Sequence, residues 1–162
     1  MEVSPAMLRA VREHNDIVEI YAQYDGMVRL AVLLTGSSSV AESAVQQAMM
    51  RVTARYASLR SPEAYLRQAV VNGCRRRRRT AARRRDLEGS YAAAFLQGDS
   101  DGIEFLEALV TLRSRERSAV VLRYFCDLSE GEISVVLHCA PPTVRILLAR
   151  GLRKLRAVID VE

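Results

Sequence analysis

No tryptophan occurs in this chain, and only 6% of its 162 residues are aromatic. A core with so few rings has to be closed by small and branched aliphatic side chains. These are abundant: 49% of the residues are apolar, enough for a folded chain and too many for a disordered tail. Long hydrophobic runs are missing as well. Charge interrupts the apolar stretches every few residues, so none approaches the roughly 18 to 20 residues that cross a bilayer. The opening "MEVSPAMLRAVREHND" has no signal-peptide core, and the chain is expected to stay in the cytoplasm with no membrane partner. Cysteine is scarce and odd in number: Cys74, Cys126 and Cys139 are scattered, which argues for reduced thiols rather than a disulfide framework. His138 beside Cys139 lacks CxxC or HxxxH companions, so neither a metal nor a cofactor is expected. The carboxylates are dispersed or capping, and His14 and His138 lie far apart along the chain. Without an acid–base pair, a nucleophile elbow or a glycine-rich phosphate loop, the expectation is a binding protein and not an enzyme.

Lysine is nearly absent, one against 23 arginines. The net charge of +5 conceals a partition: residues 1–50 carry −3, 51–85 carry +11, 86–112 carry −6 and 113–162 carry +3. A solvated surface mixes signs, whereas blocks of one sign suggest a footprint for a polyanion beside an acidic connector. The densest block is "NGCRRRRRTAARRRD", residues 72–86, with eight arginines in positions 75–85.

Apolar periodicity is helical throughout, with no strand-like alternation and no repeat. Ile17, Ile20, Tyr21, Tyr24, Val28, Ala31 and Leu34 predict a first amphipathic helix ending at "TGSSS". Ser39 and Glu42 have capping-box spacing for a second helix with Val45, Ala48, Met49 and Val52 on its buried stripe. Ser61 and Pro62 start a third, in which Leu66, Ala69, Val70 and Gly73 lead into the arginines. "DLEGSYAAAFLQGDSDG", residues 86–102, reads as an acidic linker. Helices near 104–112 and through "RERSAVVLRYF" follow it. A capping box at Ser129 and Glu132, a short break at "HCA" and a basic helix opening at Pro141 and Pro142 then make a helix-turn-helix pattern. The expected fold is all-α: two small helical domains, 1–86 and 104–162, joined by a linker at 87–103.

At 100° per residue, Gln68, Asn72, Arg75 and Arg79 line up opposite Leu66 and Val70, with Tyr65 and Arg76 beside them. Guanidiniums screen phosphates, amides reach base edges and a tyrosine ring stacks on an unpaired base, a set suited to DNA that is being opened. In the last helix, Val144, Leu148, Gly151, Leu152, Leu155 and Ile159 share one face, and Arg145, Arg150, Arg153 and Arg156 spread over the other. Ile146 points away from the apolar stripe and Leu147 lies at its boundary. Such a pair can touch thymine methyls, pack on another protein or close a wider core.

The ordered motifs "VLLTG" (32–36), "AESAVQQAMMRV" (41–52), "PEAYLRQAVVNGCRRRRR" (62–79), "RSAVVLRYFCDLSEGEI" (117–133) and "PTVRILLARGLRKLRAV" (142–158) resemble those of bacterial sigma factors of the extracytoplasmic-function type, most closely the sigma-E-like branch. The resemblance implies a first domain like sigma region two, which binds core RNA polymerase and opens the −10 element, and a second like region four, which reads the −35 element. It implies −10 contacts for Tyr65, Gln68, Asn72, Arg75, Arg76 and Arg79, with Asn72 near a flipped-base pocket. It also implies −35 contacts for Thr143, Arg145, Arg150 and Arg153, and polymerase contacts for Val45, Gln46, Gln47 and Met50. Core RNA polymerase and promoter DNA are the implied partners, with room for an anti-sigma or other regulatory protein.

Departures from the family pattern are concentrated. The family's "AEDLVQEAF" is here "AESAVQQAM", which removes acidic residues at Ser43 and Gln47. The family's "GCSVGTVKSRL" is here "HCAPPTVRILL", which places Ala140, Pro142, Ile146 and Leu147 at positions of other chemistry. Two functions stay open: an initiating sigma factor, or a sigma-like paralogue that regulates transcription through protein or DNA contacts without initiating.

Overall fold

The structure, a computed structural model, describes residues 4–81 and 100–159. Among these residues every regular element is a helix. The stretch expected as one helix over 17–34 is two: α1 (Pro5–Ala22) and α2 (Tyr24–Thr35), broken at Gln23. Gln23 closes the first by donating its N–H to the Ile20 carbonyl at 3.1 Å, and its own carbonyl opens the second by accepting from Met27 at 2.9 Å. The change of direction separates two different surfaces. Arg9, Arg12, Glu13 and Glu19 of α1 are exposed, while α2 buries Val28 and the whole run Leu30–Leu34. A helix apolar nearly all round belongs at the centre, and α2 packs on helices from both halves of the chain. Gly36 ends it in the left-handed conformation, at φ 72°, and donates to the Val32 carbonyl at 2.7 Å.

The cap of α3 (Ser38–Arg55) is Ser37, not Ser39: the Ser37 hydroxyl accepts from the Val40 N–H at 3.4 Å. The left-handed turn at Gly36 leaves Ser37 extended, the conformation a capping residue needs, whereas Ser39 is already helical. Ala41, Ala44, Val45, Ala48, Met49 and Val52 form the buried stripe of α3. Val45 is completely buried, so it is a core residue and its assignment to a polymerase-binding surface is corrected here. A 3₁₀ turn (Tyr56–Ser58) leads to α4 (Pro62–Ala81), whose start is as expected, with the Ser61 hydroxyl accepting from Ala64. Leu66, Val70, Val71, Gly73 and Cys74 of α4 face α2 and α3.

The second half comprises α5 (Ser100–Thr111), α6 (Ser114–Tyr124), α7 (Glu130–Leu137) and α8 (Pro141–Ile159). Since α5 begins at Ser100, the last four positions of the expected linker are helical; residues 87–99 of it lie outside the described residues. The capping box before α7 has both arms, Ser129 N–H to the Glu132 carboxylate at 2.8 Å and Glu132 N–H to the Ser129 hydroxyl at 3.2 Å. Those bonds hold the Glu132 carboxyl below its ordinary range. His138 ends α7 at φ 51°, and α8 then crosses α6.

Candidate nucleic-acid interface

The outer side of α3 and α4 carries a cleft of about 260 Å³ lined by Arg51, Tyr65, Gln68, Ala69, Asn72 and Arg76. The helical stripe Leu66–Val70–Gly73 pins α4 against the core and turns Tyr65, Gln68, Asn72 and Arg76 outward together. Four of the six residues expected at the −10 face therefore share one cavity. Arg75 is half-buried and not among its lining, and α4 carries the backbone of Arg79 one turn further on. Arg51 comes from α3 and was not expected. The available signal was charge alone, because Arg51 is the first residue of the basic block; nothing in its own helix tells which outer residue leans over α4.

Chemically the cleft offers two guanidiniums, two amides and a phenol ring around a space wider than one side chain. This set can hold a planar, polar ring and the phosphate next to it. Cys74, on the buried side of α4, has its thiol pushed by burial up to about 12. It remains a neutral core residue at neutral pH. Arg78, on the same basic helix, turns away from the cleft and donates to the Leu112 carbonyl at 3.0 Å, with its pKa lowered by burial.

On the helix-turn-helix, Arg145, Arg150 and Arg153 are exposed along α8 and Thr143 is half-buried in its first turn. Arg145 meets Glu130 of α7 at 2.6 Å. Ile146 is 51% exposed, which overturns the wider-core reading for it; Leu147 is half-buried against the core and takes that role instead. The family arginine expected where Leu147 stands would lie at the edge of an apolar seat. Behind α8, Lys154 donates to Glu116 at 2.7 Å. Burial alone would raise the Glu116 carboxyl, but this bond and the Arg113 N–H hold it below its ordinary range. On α3, Gln46, Gln47 and Met50 are exposed beside Ser43, an uncharged surface where the family carries acids.

Residues 103–155 match the model of sigma-70, region 4, the segment that contains α6, α7 and most of α8. A sigma-E factor of Streptomyces avermitilis is 25% identical over 158 residues, covering 91% of this chain and 88% of its own. Those of Streptomyces antibioticus and Streptomyces coelicolor are each 26% identical, covering 94% and 85% of this chain and 87% and 81% of their own. Among solved structures, the Bartonella quintana sigma factor RpoE, crystallised with the anti-sigma factor NepR, superposes with a TM-score of 0.71 at 21% identity, covering 89% of this chain and 96% of that one. The Mycobacterium tuberculosis extracytoplasmic-function sigma factor SigJ superposes at 0.67 with 23% identity, over 86% of this chain and 53% of that one.

In fold and in sequence this chain resembles sigma factors of the extracytoplasmic-function type. The resemblance read from its motifs holds over nearly its whole length, the all-helical fold with a C-terminal helix-turn-helix is that of the neighbours, and the relatives support a sigma factor's role in transcription. They do not favour the non-initiating alternative. Among the described residues no single helix is long and apolar enough to cross a membrane.

Proposed function

We propose that this sigma factor binds core RNA polymerase through the outer face of α3, engages the opened −10 strand in the α3–α4 cleft and reads the −35 element with α8. It works in the cytoplasm by binding alone, with no chemical step and no cofactor of its own. The observation that carries this reading is the meeting of Arg51, Tyr65, Gln68, Asn72 and Arg76 in one cavity. A duplex presents no free base to such a space, whereas an extruded base fills it, stacking on the tyrosine and meeting the amides at its edge. The exposed arginines of α8 supply the second, duplex-directed contact, with phosphate as the main target. On α3, Gln46, Gln47 and Met50 form the polymerase contact without carboxylates.

Run-off transcription with purified core polymerase tests this reading. The expected result is a defined start site that depends on this protein. Random initiation indistinguishable from core polymerase alone overturns it and leaves the regulatory paralogue.

A further inference from the structure

The outer side of α8 carries an order that its arginines alone do not explain. At about 100° per residue, Pro142, Ile146 and Ala149 fall within about 60° of one another, opposite Val144, Gly151 and Leu155. All three are exposed, Ile146 by 51%. Arg145 lies on one flank of this apolar strip and Arg150 on the other, about 140° apart, and Arg153 continues its line. The start of the helix is equally particular. Pro141 and Pro142 have no N–H to give, and the N–H groups of Thr143 and Val144 both go to the Ala140 carbonyl, at 2.9 and 3.3 Å. The first turn therefore keeps no free backbone donor for a phosphate, the usual service of a helix start to a polyanion. Glu130 of α7 draws Arg145 to its flank, accepting from Nε at 2.6 Å.

We propose that Pro142, Ile146 and Ala149 form a reading strip for the 5-methyl groups of thymine in the major groove, so that α8 selects a T-rich upstream element. The inference rests on the proposed reading of the −35 element by α8 and names what that helix prefers there. In a helix-turn-helix the N-terminal residues of the second helix reach base edges, and Pro142 to Ala149 occupy the first turns of α8. Seven steps of about 1.5 Å make the strip about 10 Å long, the height of about three base pairs at ~3.4 Å each. The thymine methyl is the apolar feature of the major-groove floor, and an isoleucine side chain covers it without needing a donor or an acceptor. The commonest specific contact of such helices is a two-pronged arginine on guanine. Here the arginine nearest the helix start is held aside by Glu130, and Ile146 stands beside it on the exposed face. Arg150 and Arg153 meet the phosphates of the groove wall. Cations beside the strip favour a polyanion over an apolar protein face, which would have to bury them.

The test selects bound DNA from a pool of short duplexes with a randomised central segment, using the full chain alone and with core polymerase, against core polymerase as background. The wild-type chain should enrich a run of about three A·T pairs, and Ile146→Ser should lose that preference. Each enriched thymine is then replaced by deoxyuridine, which removes the methyl and keeps the pairing edge, and affinity is read by fluorescence anisotropy. A loss of about fourfold per buried methyl is expected for wild type, and none for Ile146→Ser. The deoxyuridine comparison needs only the wild-type protein, so its outcome does not depend on how the variant folds. An enriched sequence whose affinity is indifferent to deoxyuridine overturns the thymine strip and leaves the −35 reading intact. Equal deoxyuridine losses in Ile146→Ser take the methyl contact away from Ile146 and overturn it as well. A pool with no sequence enriched above the background, with or without polymerase, overturns the reading of duplex by α8 and the strip with it.

Discussion

Gly151 of α8 lies so close to Val120 of α6 that a β-carbon on it would come within 2.7 Å of the Val120 Cγ2. The two helices cross there with the Glu116 backbone carbonyl 3.5 Å from the same point. Gly151→Ala is therefore expected to destabilise the fold by about 1 to 3 kcal/mol, the range for overpacking a tight core, even though alanine is the better helix former. Val120→Ala in the same chain should recover part of the loss. Urea denaturation of the two single variants and the double variant measures the coupling; strict additivity would show that the crossing is not the cause.

The Lys154–Glu116 pair beside that crossing predicts a pH dependence. Glu116 has a folded pKa below its ordinary 4.5, so the unfolded chain takes up its proton first as the solution is acidified. Its contribution is present above about pH 4.5 and is lost as pH falls through the folded value. Lys154→Met removes the cation and leaves the buried carboxylate with only the Arg113 N–H. The melting temperature of the variant should lie below wild type at pH 6, and the gap should narrow by pH 3. A gap independent of pH would make Lys154 a packing residue.

Periodicity and caps carried most of the fold, because helix faces are local. The stripe of α4, the Ser61 start and the Ser129–Glu132 box needed only residues a few positions apart. What the chain concealed was relational. The break at Gln23 has no proline or glycine to announce it. The shift of the α3 cap from Ser39 to Ser37 depends on the left-handed turn at Gly36. Val45 illustrates the limit on the site: its place in the apolar stripe already argued for burial, and the motif resemblance overrode that signal. Arg51 joins the cleft, and Arg117 crosses to Leu34, through contacts between segments distant along the chain. No periodicity encodes either.

Arg51 and Arg76 are the cations that line the cleft, so they should carry a counterion-release signature. Replacing both with alanine is expected to lower the slope of log affinity against log salt on single-stranded DNA by about 1.4, at ~0.7 per phosphate contact. Arg60→Ala, exposed and outside the cleft, serves as the control and should move it less. Equal changes for both proteins would mean that net charge, not the cleft, sets the affinity.

The exposed amides of α3 predict weak attachment to polymerase. Ser43 and Gln47 stand one helical turn apart on one face, and acids there should attract a basic partner surface. Ser43→Asp with Gln47→Glu is expected to tighten binding to core polymerase about tenfold or more, since close charge pairs at interfaces couple by about 1.5 kcal/mol or more. Surface binding of labelled core enzyme measures it. No change would place the attachment on another face.

Asn72 separates opening from binding. It sits at mid-length in α4, half-buried, between Gln68 and Arg76 on the cleft wall, with Gly73 next to it on the buried side. An amide in that place has no Watson–Crick edge to meet while the duplex is closed, because those edges are then engaged in pairing; it gains one only when a base is extruded. Asn72→Ala should therefore leave the amount of closed complex within about twofold while reducing the open complex by roughly tenfold, the loss of one to two hydrogen bonds of about 1 kcal/mol each. Permanganate reactivity of thymines near the start site reports the open complex, and gel retardation at low temperature reports the closed one. The thermal stability of the isolated variant supplies the control, since a partly buried amide also has a structural environment. An unchanged melting temperature with selective loss of permanganate signal assigns Asn72 to the opened strand. Equal loss of both complexes with a lowered melting temperature makes it a support for α4, and the extruded base must then be held by Tyr65 and Gln68.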